Sequence, residues 1–316
     1  FYSAFMVADK VEINTLSYQQ GAEPAKWECE GTTDFVIKKG KRKKRGTDII
    51  LHINEESAEF LESYRIKALL NKYCKFLPVE IEFDKEVINK TDPIWKKSPA
   101  ELKDEDYLNF YQELYPLSEK PLFWIHINVD YPFNLTGILY FPKIDKSVDP
   151  NRNKISLYSN QVYVTDNVSD IVPEYLMLLH GVIDSPDIPL NVSRSSLQSD
   201  GQVEKITQHI SKKVTDKLTE IFKKDRKDFE EKWKGIGLFV KYGMISDEKF
   251  YERAEKIALL QDTTNAFHTI EEYQKILEVN QLDKDKKKVA LYTTDADAQH
   301  TYVERAYKQG YNVLLM

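Results

Sequence analysis

The chain has 316 residues, 41% hydrophobic and 12% aromatic, a composition that argues against a disordered protein and suits about two to three domains. Lys and Arg number 45 against 51 Asp and Glu, and the net charge of −6 argues against a general nucleic-acid binder. No stretch approaches ~18 uninterrupted apolar residues, so we expect no membrane-spanning helix. Two cysteines, Cys29 and Cys74, cannot form a disulfide framework and indicate a reducing compartment.

Residues 1–53 carry the pattern of a small antiparallel sheet. After a helical end at 1–8, four runs alternate as strands do, at 10–15, 26–30, 34–38 and 47–53. Short glycine-bearing gaps between them predict a meander. The sheet needs a cover on its apolar face, and the chain has no initiator Met and runs through apolar segments at both ends. We therefore expect it to be a piece of a longer protein.

The next feature is a basic run at 38–45, KKGKRKKR, with seven cationic side chains in eight. A solvated hairpin tip, a nuclear localisation signal and a phosphate-binding loop are all compatible with it. The hairpin tip is the preferred interpretation, because short basic runs are common and weakly specific.

An α/β pattern follows a predicted connecting helix at 55–77, which Pro78 ends. Strands are predicted at 122–129, 137–141 and 155–166, the last with a turn at 159–161. Pro173 suits the first position of a helix, and Gly181 suits the position just beyond its end.

Helices dominate the remainder. Apolar residues recur every three or four positions across 200–233, which predicts one helix with a buried face. Further helices are expected near 247–260 and 269–279, the second opened by a capping box of Thr269 and Glu272. A strand at 289–295, a helix at 297–308 and the final apolar run after Gly310 predict a β-α-β unit. No glycine-rich loop follows the first of these strands, so we expect no nucleotide site there.

Most catalytic motifs are missing from the sequence. It has no GxxxxGK[ST], GxGxxG, HExxH, CxxC or GxSxG, and its six histidines show no metal-ligand spacing. Asp184 and Asp187 bracket a Ser-Pro pair, which favours a turn over an acid/base pair. Arg194 and Gln198 lie four residues apart at an expected helix start, where they could grip a phosphate oxygen. A structural Arg that caps a carbonyl or pairs with a carboxylate stays an alternative.

The run IPLNVSR…LQ at 188–198 resembles the catalytic loop of the ninety-kilodalton heat-shock chaperones of the bacterial HtpG type. FYSAFMVADKV resembles the end of that family's ATP lid, and RGTDIILHI resembles the last strand of its ATPase domain. Four further runs resemble its middle domain: DPIWKKSPAEL, DYLNFYQELYP, PFNLTGILYFP and VYVTDN. The resemblance covers the whole chain in order.

The resemblance implies an α/β (α+β) fold in five parts. Residues 1–54 would be the end of a Bergerat-type ATPase sandwich, and 55–77 a connecting helix. A larger αβα layer with the catalytic loop would follow at 78–199, then a helical connector at 200–245 and a smaller αβα layer at 246–316. It also implies that the Mg²⁺-binding elements lie upstream and the dimerisation domain downstream. No long acidic linker follows Ile53, which indicates a bacterial or organellar form; we expect a bacterial, cytoplasmic protein.

The resemblance also implies roles for individual residues. Arg194 would contact the γ-phosphate of ATP, and Gln198 would help to position it. Thr47 would lie near the adenine, and Phe1 would line the nucleotide site. The family often has Glu straight after the catalytic Arg, and Ser195 stands there instead, so an Arg–Glu pairing is in doubt.

Two aromatic residues are implied to contact clients. Trp95 and Phe133 match exposed or half-exposed aromatics of the middle domain with roles in client contact and domain docking. A purely structural core role stays open for both.

The implied function is that of an ATP-dependent chaperone segment, with ATP as cofactor. Its partners would be unfolded or partly folded clients and, through the absent dimerisation domain, a second copy of the protein, with neither nucleic acid nor membrane. The isolated chain is expected to hydrolyse ATP poorly. The alternative is a non-catalytic module that binds clients or co-chaperones; an unrelated α/β enzyme is a third possibility that the empty motif search disfavours.

Overall fold

The computed structural model describes residues 2–143, 154–169, 171–188 and 201–316. They divide into two compact units, Phe1–Lys90 and Thr91–Met316. The first unit is built mainly from short strands and 3₁₀ helices. Its elements are a 3₁₀ helix Tyr2–Met6, β1 Ala8–Leu16, β2 Ala25–Cys29, β3 Phe35–Lys39, β4 Gly46–Ile53, a 3₁₀ helix Glu55–Leu61, α1 Ser63–Tyr73, β5 Glu82–Phe83 and β6 Glu86–Val87.

Strands β1 to β4 form one antiparallel sheet in the order β3-β2-β1-β4. All four predicted strands are confirmed, but the predicted meander is wrong in its last step, because β4 pairs with β1 and not with β3. Val11 faces Leu51 in that pairing, which extends the apolar face of the sheet. The connection at 40–45 can cross the sheet end, since six extended residues reach about 20 Å and three strand spacings need about 14 Å.

The other face of this sheet is a ladder of ion pairs. Lys26 Nζ lies 2.7 Å from Glu12 Oε2 and also pairs with Glu28, while Lys38 Nζ lies 2.9 Å from Glu28 and Lys10 Nζ 3.2 Å from Glu12. Hydrogen bonds from Lys26 and then Lys10 lower the pKa of Glu12 to about 2. Hydrogen bonds from Lys26 and then Lys38 likewise lower the pKa of Glu28 to about 2. The ladder fixes the register, because a one-residue slip would turn these charges to the apolar face.

The helix predicted at 55–77 is broken in the structure. Asn54 accepts a hydrogen bond from Ser57 N at 2.9 Å and starts the 3₁₀ helix, and α1 begins only after Glu62. Glu62 has extended backbone angles (φ −83°, ψ 121°), which interrupt the helical hydrogen bonds. The single-helix prediction is therefore wrong, and Leu61, at the end of the 3₁₀ helix, is 68% exposed.

The second unit contains two sheets and the long helices. Its elements are 3₁₀ helices Ile94–Lys96 and Pro99–Glu101, α2 Asp104–Leu114, β7 Phe123–Val129, β8 Leu135–Phe141, β9 Lys154–Ser159, β10 Val162–Thr165, a 3₁₀ helix Glu174–Leu176, β11 His180–Asp184, α3 Gly201–Lys224, α4 Arg226–Ser246, α5 Glu248–Ala254, β12 Leu259–Asp262, β13 Phe267–Thr269, α6 Ile270–Asn280, β14 Leu291–Thr293, α7 His300–Lys308 and β15 Val313–Leu315.

A five-stranded sheet, in the order β10-β9-β11-β8-β7, lies between two helical layers. On one face, Tyr111 of α2 packs on Tyr140 of β8, with ring centroids 4.8 Å apart. On the other, the buried face of α3 joins Leu139 and Phe141 in the main core. The α/β fold with a larger αβα layer is thus confirmed. Within the described residues, no helix combines the length and the apolar character that crossing a bilayer requires.

The helix predicted from Pro173 to Gly181 is wrong. A single 3₁₀ turn follows Pro173, and Gly181 lies inside β11. Gly181 has φ +141°, and a Cβ there would lie 2.0 Å from the carbonyl oxygen of Ile138 in the neighbouring strand. The glycine is therefore required by close strand packing and does not mark a helix end.

The helix predicted at 200–233 is two helices, and the single-helix prediction is wrong. Asp225 ends α3 and caps α4, because its side chain accepts hydrogen bonds from Lys227 N and Asp228 N at 2.9 and 3.1 Å. The predicted apolar face of α3 is confirmed, because its side chains are buried. Val203 is 5% exposed, and the following positions on that face are 0% exposed: Ile206, Ile210, Val214 and Leu218.

The last part of the chain forms a small sheet in the order β13-β12-β15-β14. Strands β14 and β15 are parallel and flank α7, which confirms the β-α-β unit. The capping box is also confirmed: Thr269 N donates to Glu272 at 2.7 Å, and Glu272 N to Thr269 Oγ1 at 3.1 Å. The β12–β13 hairpin was not predicted from the sequence. Its turn is held by the buried carboxylate of Asp262, which accepts hydrogen bonds from Thr264 N and Ala266 N.

Candidate functional site

The end of β11 is anchored by a buried carboxylate. Asp184, 4% exposed, accepts hydrogen bonds through Oδ2 from Trp95 Nε1 at 3.2 Å and from Gln161 N at 3.0 Å. The adjoining turn is held by Ser185, whose hydroxyl donates to Asn134 O at 2.6 Å. The Asp187 carboxylate accepts a hydrogen bond from the Asn134 side chain at 3.1 Å. The two aspartates therefore serve structural roles at this turn, as the sequence indicated.

The predicted phosphate-contacting residues follow this turn. Arg194, Ser195 and Gln198 lie outside the described residues, within 189–200. The described chain reaches Ile188, which is 3% exposed in the main core, and resumes with α3. Both ends of the connection are thus held by packed structure.

Trp95 lies in the core. Its side chain is 0% exposed and packs between Phe110 and Tyr158, with ring centroids 5.7 and 5.4 Å away. The expectation of an exposed or half-exposed side chain is therefore wrong for this structure. A client-contacting role stays a prediction, and this conformation gives the indole no surface for it.

Phe133 is also a core residue, at 5% exposed. Its ring meets the His209 ring edge-on at 5.5 Å and belongs to the main core. Burial, followed by the charges of Lys213 and Lys212, lowers the pKa of His209, so the imidazole is neutral near pH 7. The expected exposure of Phe133 is wrong because the ring packs against His209 of α3 within the main core.

Two tyrosine–histidine pairs were not foreseen from the sequence. Tyr107 Oη lies 2.8 Å from His126 Nδ1, and Tyr111 Oη lies 2.8 Å from His180 Nδ1. His126 Nε2 is 3.1 Å from the carbonyl oxygen of Trp95, and burial lowers the pKa of His126. The i, i+4 spacing of the tyrosines on α2 was visible in the sequence, but nothing local identified their partners.

Thr47 stands on the apolar face of the first sheet. It is exposed, and its hydroxyl shares a 2.8 Å hydrogen bond with the hydroxyl of Thr15 on β1. The surrounding face is open, with Phe35, Ile37 and Ile49 at 58%, 65% and 65% exposed. Phe1, the other predicted nucleotide contact, lies outside the described residues. Thr47 thus offers a nucleotide a hydroxyl that is already hydrogen-bonded to Thr15, on an open surface.

Across the described stretches, no three His, Cys, Asp or Glu side chains are grouped closely enough to hold a metal ion. Both cysteines are free thiols.

Comparison with known proteins identifies the family to which this arrangement of layers belongs. The model of the family described as Hsp90 protein matches residues 78–316. The chaperone protein HtpG of Bacteroides fragilis is 56% identical over 331 aligned residues, covering 100% of this chain and 49% of the relative. The chaperone protein HtpG of Porphyromonas gingivalis is also 56% identical, over 100% of this chain and 48% of the relative. That of Sulfurimonas denitrificans is 32% identical, over 100% of this chain and 54% of the relative.

The chain belongs to the Hsp90 family, and the resemblance to the bacterial HtpG type is confirmed. It spans about half the length of the relatives that it matches.

Proposed function

We propose that this chain is a segment of an ATP-dependent molecular chaperone, to which it supplies a phosphate-contacting arginine and part of the client-binding surface. The observation that carries the proposal is the 56% identity, along the whole chain, to proteins named chaperone protein HtpG. The partners are unfolded or partly folded clients and a second copy of the protein. The bacterial origin of these relatives and the two free thiols support a bacterial cytoplasmic location.

Arg194 is the residue to which we assign the chemistry. In phosphoryl transfer, negative charge spreads over the γ-phosphate oxygens, and a guanidinium placed against them stabilises the transition state. Gln198 would brace the same oxygens or the arginine. The described flanks are compatible with this role, because Ile188 and the buried face of α3 both belong to the main core.

The nucleotide itself would be held mostly by other parts of the protein. Thr47 can bond the adenine directly or through water, and Phe1 would line the same site. One such hydrogen bond contributes about 1 kcal/mol, whereas micromolar binding needs about 8 kcal/mol. The Mg²⁺ ligands would come from the half of the relatives' length that this chain does not span.

The proposal is tested by comparing the full-length protein with this chain. We expect the full-length protein to hydrolyse ATP and to delay the aggregation of a heat-unfolded test protein in an ATP-dependent manner. The chain alone should show neither ATP turnover nor micromolar ATP binding by calorimetry. A full-length protein that neither hydrolyses ATP nor delays aggregation would contradict the chaperone proposal. Micromolar binding of ATP to the chain alone would contradict the proposal that other parts of the protein hold most of the nucleotide.

A further inference from the structure

The connection between β3 and β4 carries a concentrated positive charge that the proposed ATPase role does not use. We call residues 38–45 the basic loop. Three of its seven cations are paired, Lys38 with Glu28, Lys39 with Glu23 and Arg42 with Asp48. The other four are exposed and form no ion pair with any residue that the structure describes: Lys41, Lys43, Lys44 and Arg45.

The backbone of the basic loop is held in place. Gly40 N donates a hydrogen bond to Pro24 O at 2.7 Å, where the loop leaves β3. Arg42 folds back across the loop, with Nε donating to Lys44 O at 3.1 Å and its guanidinium paired with Asp48 on β4. The four unpaired cations therefore project from an ordered turn, which lowers the entropy cost of binding an anion there.

The charge of the loop contrasts with that of the rest of the chain. The whole chain has a net charge of −6, and the loop contributes +7, so the remainder carries −13. A cluster of this kind attracts negatively charged partners over roughly a Debye length of about 8–10 Å. A long polyanion that runs beyond the loop meets repulsion, whereas a short acidic segment does not.

We propose that the basic loop is a docking site for an acidic, extended segment of a partner polypeptide. Lysine ammonium groups pair with carboxylates without demanding one fixed geometry, and most of the unpaired cations are lysines. A single-stranded nucleic acid is disfavoured, because residues 38–45 contain no aromatic side chain on which a base could stack. The inference goes beyond the proposed ATPase role, and its test uses no ATP.

The test is fluorescence anisotropy with a labelled peptide of alternating Glu and Ser, titrated with this chain at low salt. The variant Lys41→Gln, Lys43→Gln, Lys44→Gln should bind about 10-fold more weakly, the combined effect of three exposed ion pairs. The matched control replaces three exposed lysines with Gln in the segment of mixed acidic and basic residues before β14: Lys284, Lys286 and Lys287. It changes the net charge equally and should alter the affinity less than about 2-fold.

A second variant and a second probe complete the design. Replacing Lys43 and Lys44 with Glu should abolish peptide binding. Thermal unfolding monitored by circular dichroism checks that each variant is folded. Undetectable peptide binding to the unmodified chain would overturn the inference, as would an equal loss in both triple variants. Tighter binding of a labelled thymidine oligonucleotide than of the peptide would also overturn it, since the partner would then be a nucleic acid.

Discussion

The hydrogen bond between Trp95 and Asp184 supports the strand end from which the arginine-bearing connection departs. Replacing Trp95 with Phe keeps an aromatic ring at this fully buried position but removes the Nε1–H that donates to Asp184 Oδ2. Among the described residues, Oδ1 of Asp184 has no hydrogen-bond partner, so Gln161 N would remain the donor to this buried carboxyl group. The loss in free energy of unfolding on this substitution therefore measures the effect of removing one hydrogen-bond donor from a buried carboxylate.

The magnitude follows from two contributions. A hydrogen bond to a charged group contributes about 1.5–3 kcal/mol, and the smaller ring leaves a cavity that costs about 1 kcal/mol. We expect Trp95→Phe to lower the free energy of unfolding by about 3 kcal/mol. Trp124→Phe is the matched control, because Trp124 is half-buried and stacks on Tyr107 at 5.1 Å; it should cost about 1 kcal/mol.

Urea unfolding of the chain measures both variants, and a double-mutant cycle isolates the interaction. With Asp184→Asn as the second change, the coupling energy should exceed about 1 kcal/mol, because the single substitutions remove the same charge-assisted bond. A loss for Trp95→Phe no larger than that of the control, or a coupling energy near zero, would refute the assigned role of this bond.

Two further predictions concern stability. Hydrogen exchange should show residues 1–53 opening before the five-stranded sheet, because the first sheet leaves large apolar side chains exposed; equal protection would contradict this. Burial raises the pKa of Asp262, but hydrogen bonds from Thr264, His268 and Asn312 outweigh it and lower the pKa to about 2. Because the folded pKa lies below the unfolded value of about 4, the associated stability, about 2 kcal/mol, is present above about pH 5 and lost as the pH falls towards 2. Asp262→Asn should remove this acid-dependent step from urea-unfolding midpoints measured between pH 5 and 2.5, and an unchanged step would contradict the assignment.

The sequence was informative where one element carries its own signal. The alternation in β1 and β4 is visible because apolar and charged side chains occupy opposite faces, and the apolar face of α3 follows from its helical spacing. The Thr269–Glu272 capping box is a local contact and was predicted correctly. These features depend on residues within a few positions of one another.

The predictions failed where a residue distant in the sequence determines the local structure. Nothing near β4 indicates that it pairs with β1, and nothing near Gly181 indicates that the backbone of Ile138 approaches it. Trp95 could not be placed in the core from its own surroundings, because its carboxylate partner, Asp184, lies 89 residues away. Asp225 did carry a capping signal, but the apolar periodicity on either side concealed the break between α3 and α4.

The central proposal is that this chain supplies the arginine that stabilises the transferring phosphate. The most direct measurement is ATP turnover and ATP affinity on one preparation of the full-length protein carrying Arg194→Ala. Turnover should fall by roughly 10–1000-fold with affinity nearly unchanged, because the arginine acts mainly in the transition state. Arg194→Lys should rescue only in part, and Arg305→Ala, an exposed arginine on α7, should leave turnover unchanged. A lower melting temperature for Arg194→Ala with full turnover per folded molecule would contradict the proposal.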